Sequence, residues 1–207
     1  MNMLDPVISY FTTLPLWELV AVFTALMYTV LAAKGNIWCW PAALISTILY
    51  TVIFYDVYLW MDSFLQVYYL GMAIYGWYCW SEIKRNKHAA MFISRWPLMM
   101  HAKIIVSLSL VSIVLGWLMA TYTPASFPYF DAFTTVFAIF ATYMVTKQVL
   151  ENWVYWFVID AASIYIYVEK GLTPTAVLFS LYVFLTIYGY YQWSTIFKKQ
   201  PITIAEQ

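Results

Sequence analysis

Charge is scarce in this chain. Asp, Glu, Lys and Arg make up 10% of its 207 residues, against about a quarter in an ordinary soluble domain. With a mean hydropathy of +0.74, that scarcity excludes a soluble globular protein. Ten basic residues balance ten acidic ones, so no net charge points to nucleic acid as a partner. Only two cysteines occur, Cys39 and Cys79. They are too few for a disulfide framework and lack the company of a metal site, so both are expected to be small packing residues. No Lys or Arg precedes Lys34. The basic segment of a cleavable signal peptide is therefore missing, and insertion is expected to rely on the first span. Neither HExxH nor GxSxG is present, which argues against a membrane enzyme. No catalytic residue, metal or cofactor is expected.

What the chain does have is apolar length. Hydrophobic runs at 17–33, 37–55, 57–81, 104–120, 130–146, 153–168 and 173–197 are each near the roughly 20 residues that cross a bilayer. They predict an all-α integral membrane protein with seven transmembrane helices. Residues 1–16, interrupted by Asp5, Pro6 and Pro15, are too short to cross and are expected to lie at the interface. The longest polar segment, 82–103, carries Lys84, Arg85, Lys87, Arg95 and Lys103. Placing it in the cytoplasm also puts Lys34, Lys147, Lys198 and Lys199 inside. Nine of ten basic residues then share one side and only Lys170 is left out. The positive-inside rule thus sets the N-terminus outside and the C-terminus in the cytoplasm.

The chain also repeats itself. Tyr75-Gly76-Trp77-Tyr78-Cys79-Trp80 returns as Tyr188-Gly189-Tyr190-Tyr191-Gln192-Trp193, at an offset of 113. Upstream stand two Asn-x-x-x-Trp pairs, Asn36/Trp40 and Asn152/Trp156, at an offset of 116. A three-residue deletion in one copy would reconcile the two offsets. The reading is two three-helix units, 17–81 and 130–197, joined by 82–129, with 198–207 a cytoplasmic tail. One odd linker helix turns the chain once, so the units are expected to run parallel, as 3+1+3, in the arrangement of the SWEET transporters. A path between two such units suits transport.

Polar residues inside the apolar runs are expected to face the bundle interior, because an unsatisfied polar group in hydrocarbon costs several kcal/mol. Asp62, Gln66, Tyr69, Ala73, Gly76 and Trp80 share one face of the third span, and Asn152, Trp156 and Asp160 share one face of the sixth. Gln66 and Asp160 fall at similar depth. With the two offsets above, Gln66 pairs with Phe179 and Asp160 with Leu44, whereas Tyr69/Tyr182, Gly76/Gly189 and Trp80/Trp193 match. The unmatched positions are expected to read an off-centre substrate, Gln66 from one unit and Asp160 from the other. Other roles stay open. Asn36 and Asn152 serve equally well as helix N-caps or as ligand contacts, and Glu151 suits a helix N-terminus. The two glycines permit close packing. Trp17, Trp60, Trp117, Trp80 and Trp193 read as interfacial aromatics, and Trp156 reads as a stacking platform. Asp62 fits an outer-surface position as well as a buried one. His88 and His101 are expected to be solvated.

Two motif sets carry a family resemblance. Asn36-Ile-Trp-Cys-Trp-Pro41 with Leu65-Gln66-x-x-Tyr69 and Tyr75-Gly76-Trp77 resembles the first half of the PnuC nicotinamide riboside transporters. Glu151-Asn152-Trp153-x-x-Trp156-x-x-x-Asp160 with Tyr167 and Lys170-Gly171-Leu172 resembles their second half. Met61-Asp62 departs from the Gly-Asp common there. The resemblance implies a seven-helix fold, a homotrimer in the bacterial inner membrane, and facilitated diffusion of nicotinamide riboside driven by neither ATP nor ions. It also implies a binding site at Gln66, Tyr69, Asn152, Trp153, Trp156 and Asp160. Asn36, Trp40, Tyr182 and Tyr188 remain as gate or symmetric scaffold. Thiamine and riboflavin are the alternative substrates, and a capture subunit needing an ATPase partner is the alternative role. A retinal protein is excluded, because the seventh span has no lysine.

Overall fold

The computed structural model describes residues 9, 12–56, 60–87, 91–124, 127–169 and 171–200, with side chains described except at 54 and 60–64. The expectations for Asp62, Trp60, His88 and Lys170, and most of those for 1–16 and 198–207, lie outside the described residues and side chains. Among the described residues seven long helices form: α1 Leu16–Ala33, α2 Cys39–Asp56, α3 Trp60–Lys87, α4 Leu98–Tyr122, α5 Pro128–Thr146, α6 Asn152–Glu169 and α7 Thr173–Lys199. Over their described residues α1, α4, α5 and α7 are long and apolar enough to span a membrane. Among the other three, α3 carries Gln66 and α6 carries Asp160, both turned inward.

Proline and glycine mark the ends. Pro15, Pro97, Pro128 and Pro174 stand just before or inside the first turn of α1, α4, α5 and α7, where a missing N–H costs nothing. Helix α1 stops in a Schellman turn. Gly35 takes φ +67, its N–H donates to Ala32 O at 2.9 Å, and Asn36 N–H donates to Leu31 O at 2.9 Å. Helix α5 stops the same way, with Gln148 at φ 54, Gln148 N–H on Val145 O at 3.0 Å and Val149 N–H on Met144 O at 3.0 Å.

These two turns lie 113 residues apart, and the same offset recurs through the packing. Helices α1, α2 and α3 pack in sequence, as do α5, α6 and α7; α1 also touches α7, and α3 touches α5. Exchanging the two triplets leaves this set of neighbours unchanged. Helix α4 packs on α5. Trp40 stands edge-on to Trp80 at 5.3 Å and 85°, and Trp153 edge-on to Trp193 at 5.4 Å and 89°. A Cβ on Gly76 would strike the Trp40 ring, and one on Gly189 the Trp153 ring. Both glycines are therefore required for close approach of an indole. This geometry overturns the expected three-residue deletion. The structural mate of Trp40 is Trp153, so the Asn-x-x-x-Trp likeness is one helical turn out of register, and the mate of Asp160 is Thr47 rather than Leu44.

One end of the bundle gathers Lys34, the last turns of α3 and α7, Arg95, the first two turns of α4, and Lys147. All nine described Lys and Arg residues lie there. Residues 91–96 of the connection between α3 and α4 are folded against this end. Met91 and Ile93 are buried, and Met91 occupies the space beside Gly35 that a Cβ would need. Phe92 N–H donates to Gln148 Oε1 at 2.7 Å. Ser94 N–H donates to Gln148 O at 3.0 Å and Ser94 O accepts from Leu150 N–H at 2.9 Å. Gln200 grips Ile93 at both backbone groups, at 2.7 and 2.9 Å. His101 is buried too, contrary to expectation. It lies 3.1 Å from the Tyr155 hydroxyl, against the Trp96 ring.

Candidate functional site

Between the two triplets lies a cavity of about 310 Å³. Its wall draws on α1, α2, α3, α5, α6 and α7. Twenty residues line it, and sixteen of them fall into pairs 113 apart. Among these pairs are Thr29/Thr142, Trp40/Trp153, Thr47/Asp160, Gln66/Phe179, Tyr69/Tyr182 and Ala73/Thr186. The cavity therefore straddles the interface of the two triplets. The four unpaired residues, Ala25, Tyr28, Ser46 and Tyr50, all belong to the first triplet and bias the space toward α1 and α2. From Trp40 to Tyr50 the wall extends about 15 Å along the helix axis at 1.5 Å per residue.

Tryptophan closes the cavity at the basic end. Trp40, Trp80, Trp153 and Trp193 are all at most 3% exposed, so Trp80 and Trp193 are not interfacial aromatics as expected. Each of these two reaches across the interface. Trp80 Nε1 donates to Val145 O at 3.2 Å, and Trp193 Nε1 donates to Ala32 O at 3.0 Å. Donors and acceptors are again 113 apart. Beneath this layer lies the docked 91–96 segment. Arg95 Nε donates to Glu151 Oε1 at 2.9 Å, and this hydrogen bond raises the guanidinium above its usual pKa.

Asp160 and Gln66 face the cavity without a described hydrogen-bond partner, as do the indole N–H groups of Trp40 and Trp153. Asp160, 4% exposed, stands midway along α6 among Trp156, Tyr182 and Thr47. No described residue donates to its carboxylate. Gln66, on α3, presents an amide that is equally unclaimed. A buried carboxyl facing an aromatic shell is expensive unless something binds it, and the half-buried Gln66 amide shares the same space. Trp156 lies one turn from Asp160 on α6 and Trp153 about two turns from it, and Tyr69 and Tyr182 occupy matching positions 113 apart in the wall.

Of the residues expected from sequence, Gln66, Tyr69, Trp153, Trp156, Asp160, Trp40 and Tyr182 line this one cavity. Asn152, Asn36 and Tyr188 do not. Asn152 is fully buried behind the wall, its Nδ2 donating to Val149 O at 2.7 Å while its Oδ1 meets no described partner. Asn36 is exposed and its Oδ1 accepts from Trp38 N–H at 3.0 Å, in the manner of a helix cap. Tyr188 is 36% exposed on the outer surface. Sequence reasoning missed Tyr28, Thr47, Tyr50 and Thr142. The offset of 113, carried unchanged from the Tyr-Gly blocks, would have flagged Thr47 as the mate of Asp160.

Known proteins resemble this chain in sequence and in fold. The chain is 26% identical to the nicotinamide riboside transporter PnuC of Escherichia coli (strain K12), over 85% of this chain and 84% of that one. It is 24% identical to the protein of the same name from Neisseria mucosa, over 87% and 72%. It is 21% identical to the riboflavin/roseoflavin transporter RibM of Streptomyces davaonensis, over 85% and 83%. The fold is that of the crystal structure of the vitamin B3 transporter PnuC, with a TM-score of 0.75 over 96% of this chain and 90% of that one, at 20% identity. Residues 15–195, from the start of α1 almost to the end of α7, match the nicotinamide mononucleotide transporter model, and the chain belongs to that family of multi-pass membrane transporters.

Proposed function

We propose that this chain carries nicotinamide riboside across the bacterial inner membrane by facilitated diffusion. The observation that carries the reading is the pair of unclaimed polar groups, Gln66 and Asp160, facing one aromatic-walled cavity. Nicotinamide riboside joins a flat cationic ring, a primary amide and a ribose. Gln66 can give and take the two hydrogen bonds of the amide. Asp160 accepts from ribose hydroxyls and balances the cation. Trp153 and Trp156 offer ring faces, each worth about 0.5–2 kcal/mol to a cation. A volume of about 310 Å³ is at the small end of ligand sites. It suits a nucleoside better than a three-ring flavin, although a relative named for riboflavin keeps that vitamin, with thiamine, among the alternatives.

The recurrence at 113 supports two parallel units, 17–81 and 130–197, related by an axis along the membrane normal. The nine clustered basic residues support a cytoplasmic C-terminus and an external N-terminus, and a homotrimer is the expected assembly. An inside-negative potential draws in a monovalent cation by about 2.3 kcal/mol per 100 mV, so neither ATP nor an ion gradient is required. Calorimetric titration of one purified preparation with nicotinamide riboside, thiamine and riboflavin tests the assignment. Nicotinamide riboside should bind most tightly. Tighter binding of either other vitamin would transfer the assignment to it.

A further inference from the structure

A second depression lies outside the bundle at its basic end, where α3 meets α5. It measures about 400 Å³ and is lined by Tyr75, Tyr78, Cys79, Glu82, Asn86 and Lys147, among others. Lys147 Nζ donates to the Tyr75 hydroxyl at 2.6 Å and lies 5.0 Å from the centre of the Tyr75 ring and 5.7 Å from that of Tyr143. An ammonium has three donors, so two remain for a ligand. The one acid in the lining, Glu82, is already paired with Arg85. The depression therefore offers a positive charge, an amide at Asn86 and two phenols.

A second observation comes from the repeat. The mates of Lys147, Tyr75 and Tyr78 at the same offset are Lys34, Tyr188 and Tyr191. Tyr75 and Tyr188 are 37% and 36% exposed, and Tyr78 and Tyr191 are 61% and 68% exposed. Other lining positions have diverged between the halves, with Gln192 for Cys79, Thr195 for Glu82 and Lys199 for Asn86. A lysine and two outward tyrosines are thus kept at both seams between the triplets, at the level where helix ends leave the apolar layer.

We propose that the α3/α5 seam binds the headgroup of an anionic phospholipid, with Lys147 on the phosphate and Tyr75, Tyr78 and Asn86 around it. Basic pockets between spanning helices are suited to such headgroups, and tyrosine belongs at that depth. The site differs from the substrate cavity in every lining residue. Thr146 in its lining is the neighbour of Val145, so a bound headgroup bridges the same seam that the Trp80 hydrogen bond crosses.

Cys79 reports on this site directly, since it lines the depression while Cys39 is fully buried. The experiment is the rate of Cys79 alkylation by a neutral maleimide, for the full chain and for Lys147→Gln, in nanodiscs of phosphatidylcholine with or without phosphatidylglycerol. The surface potential of the anionic lipid slows both proteins alike. Site occupancy should slow the unsubstituted chain a further fivefold or so, the effect of about one basic residue at a lipid surface, and Lys147→Gln should lose that extra protection. A Tyr78→Ala chain should lose part of it. Equal slowing of the unsubstituted chain and Lys147→Gln overturns the proposal. So does equal protection of Cys79 by inorganic phosphate added to phosphatidylcholine discs, which would make the ligand a soluble phosphate.

Discussion

Removing the indole N–H of Trp80 or Trp193 should loosen the basic end of the bundle by an amount that the local hydrogen bonds set. Each indole donates across the interface of the two triplets, to Val145 O at 3.2 Å or Ala32 O at 3.0 Å. Each acceptor keeps a second partner, because Gln148 N–H also donates to Val145 O and Gly35 N–H to Ala32 O. A Trp→Phe change therefore strands no carbonyl, and the bond itself contributes about 1 kcal/mol. The change also removes ring volume. Trp40→Phe controls for that, since Trp40 lies in the same cluster and its Nε1 has no described partner. Relative to Trp40→Phe, either single variant should open the closed end about fivefold more often. The double variant, at about 2 kcal/mol, should do so about thirtyfold more often. The assay is maleimide labelling of the fully buried Cys39 in a Cys79→Ser background, where the rate follows the population of the open form when reclosing is fast. Labelling of Trp80→Phe at the Trp40→Phe rate would refute the reasoning. A tenfold difference between Trp80→Phe and Trp193→Phe would refute the symmetry.

Other outcomes follow from the same contacts. Gln66→Ala and Asp160→Asn should each weaken vitamin binding by about 1–3 kcal/mol in calorimetry, and unchanged affinity in both would move the site elsewhere. Gly35→Ala should lower the melting temperature, because φ +67 disfavours a side chain and the Cβ would displace Met91; the expected loss exceeds about 1 kcal/mol. Gln200→Ala removes both bonds to the Ile93 backbone and should destabilise by about 1–3 kcal/mol, read as a melting shift with vitamin affinity unchanged.

The helices were legible because apolar length is a strong signal. Ala33, Thr146 and Thr173 are helix ends in the structure and bounds of the expected runs alike. Part of the cavity wall was legible for a related reason: Gln66 and Asp160 are conspicuous in apolar runs, and burial cost leaves them few places to point. The register of the repeat was not. An Asn-x-x-x-Trp string can recur one turn out of step, and the packing of Trp40 on Gly76 and of Trp153 on Gly189 identifies the true mates. Trp80 and Trp193 misled because a tryptophan near a helix end reads the same whether it faces headgroups or donates across a buried seam. The docking of the 91–96 segment was not legible between its basic flanks. It depends on the hollow at Gly35 and on Gln148 and Gln200, all remote in sequence.

The central claim is that this chain alone moves nicotinamide riboside through the cavity that Gln66 and Asp160 face. Purified protein in liposomes, with every ion gradient collapsed and no ATP or partner present, tests it most directly by uptake of labelled nicotinamide riboside. The account predicts saturable uptake that equilibrates across the membrane and is strongly reduced by Asp160→Asn. Uptake that appears only with an ion gradient or an ATPase partner, or that Asp160→Asn leaves untouched, would contradict it.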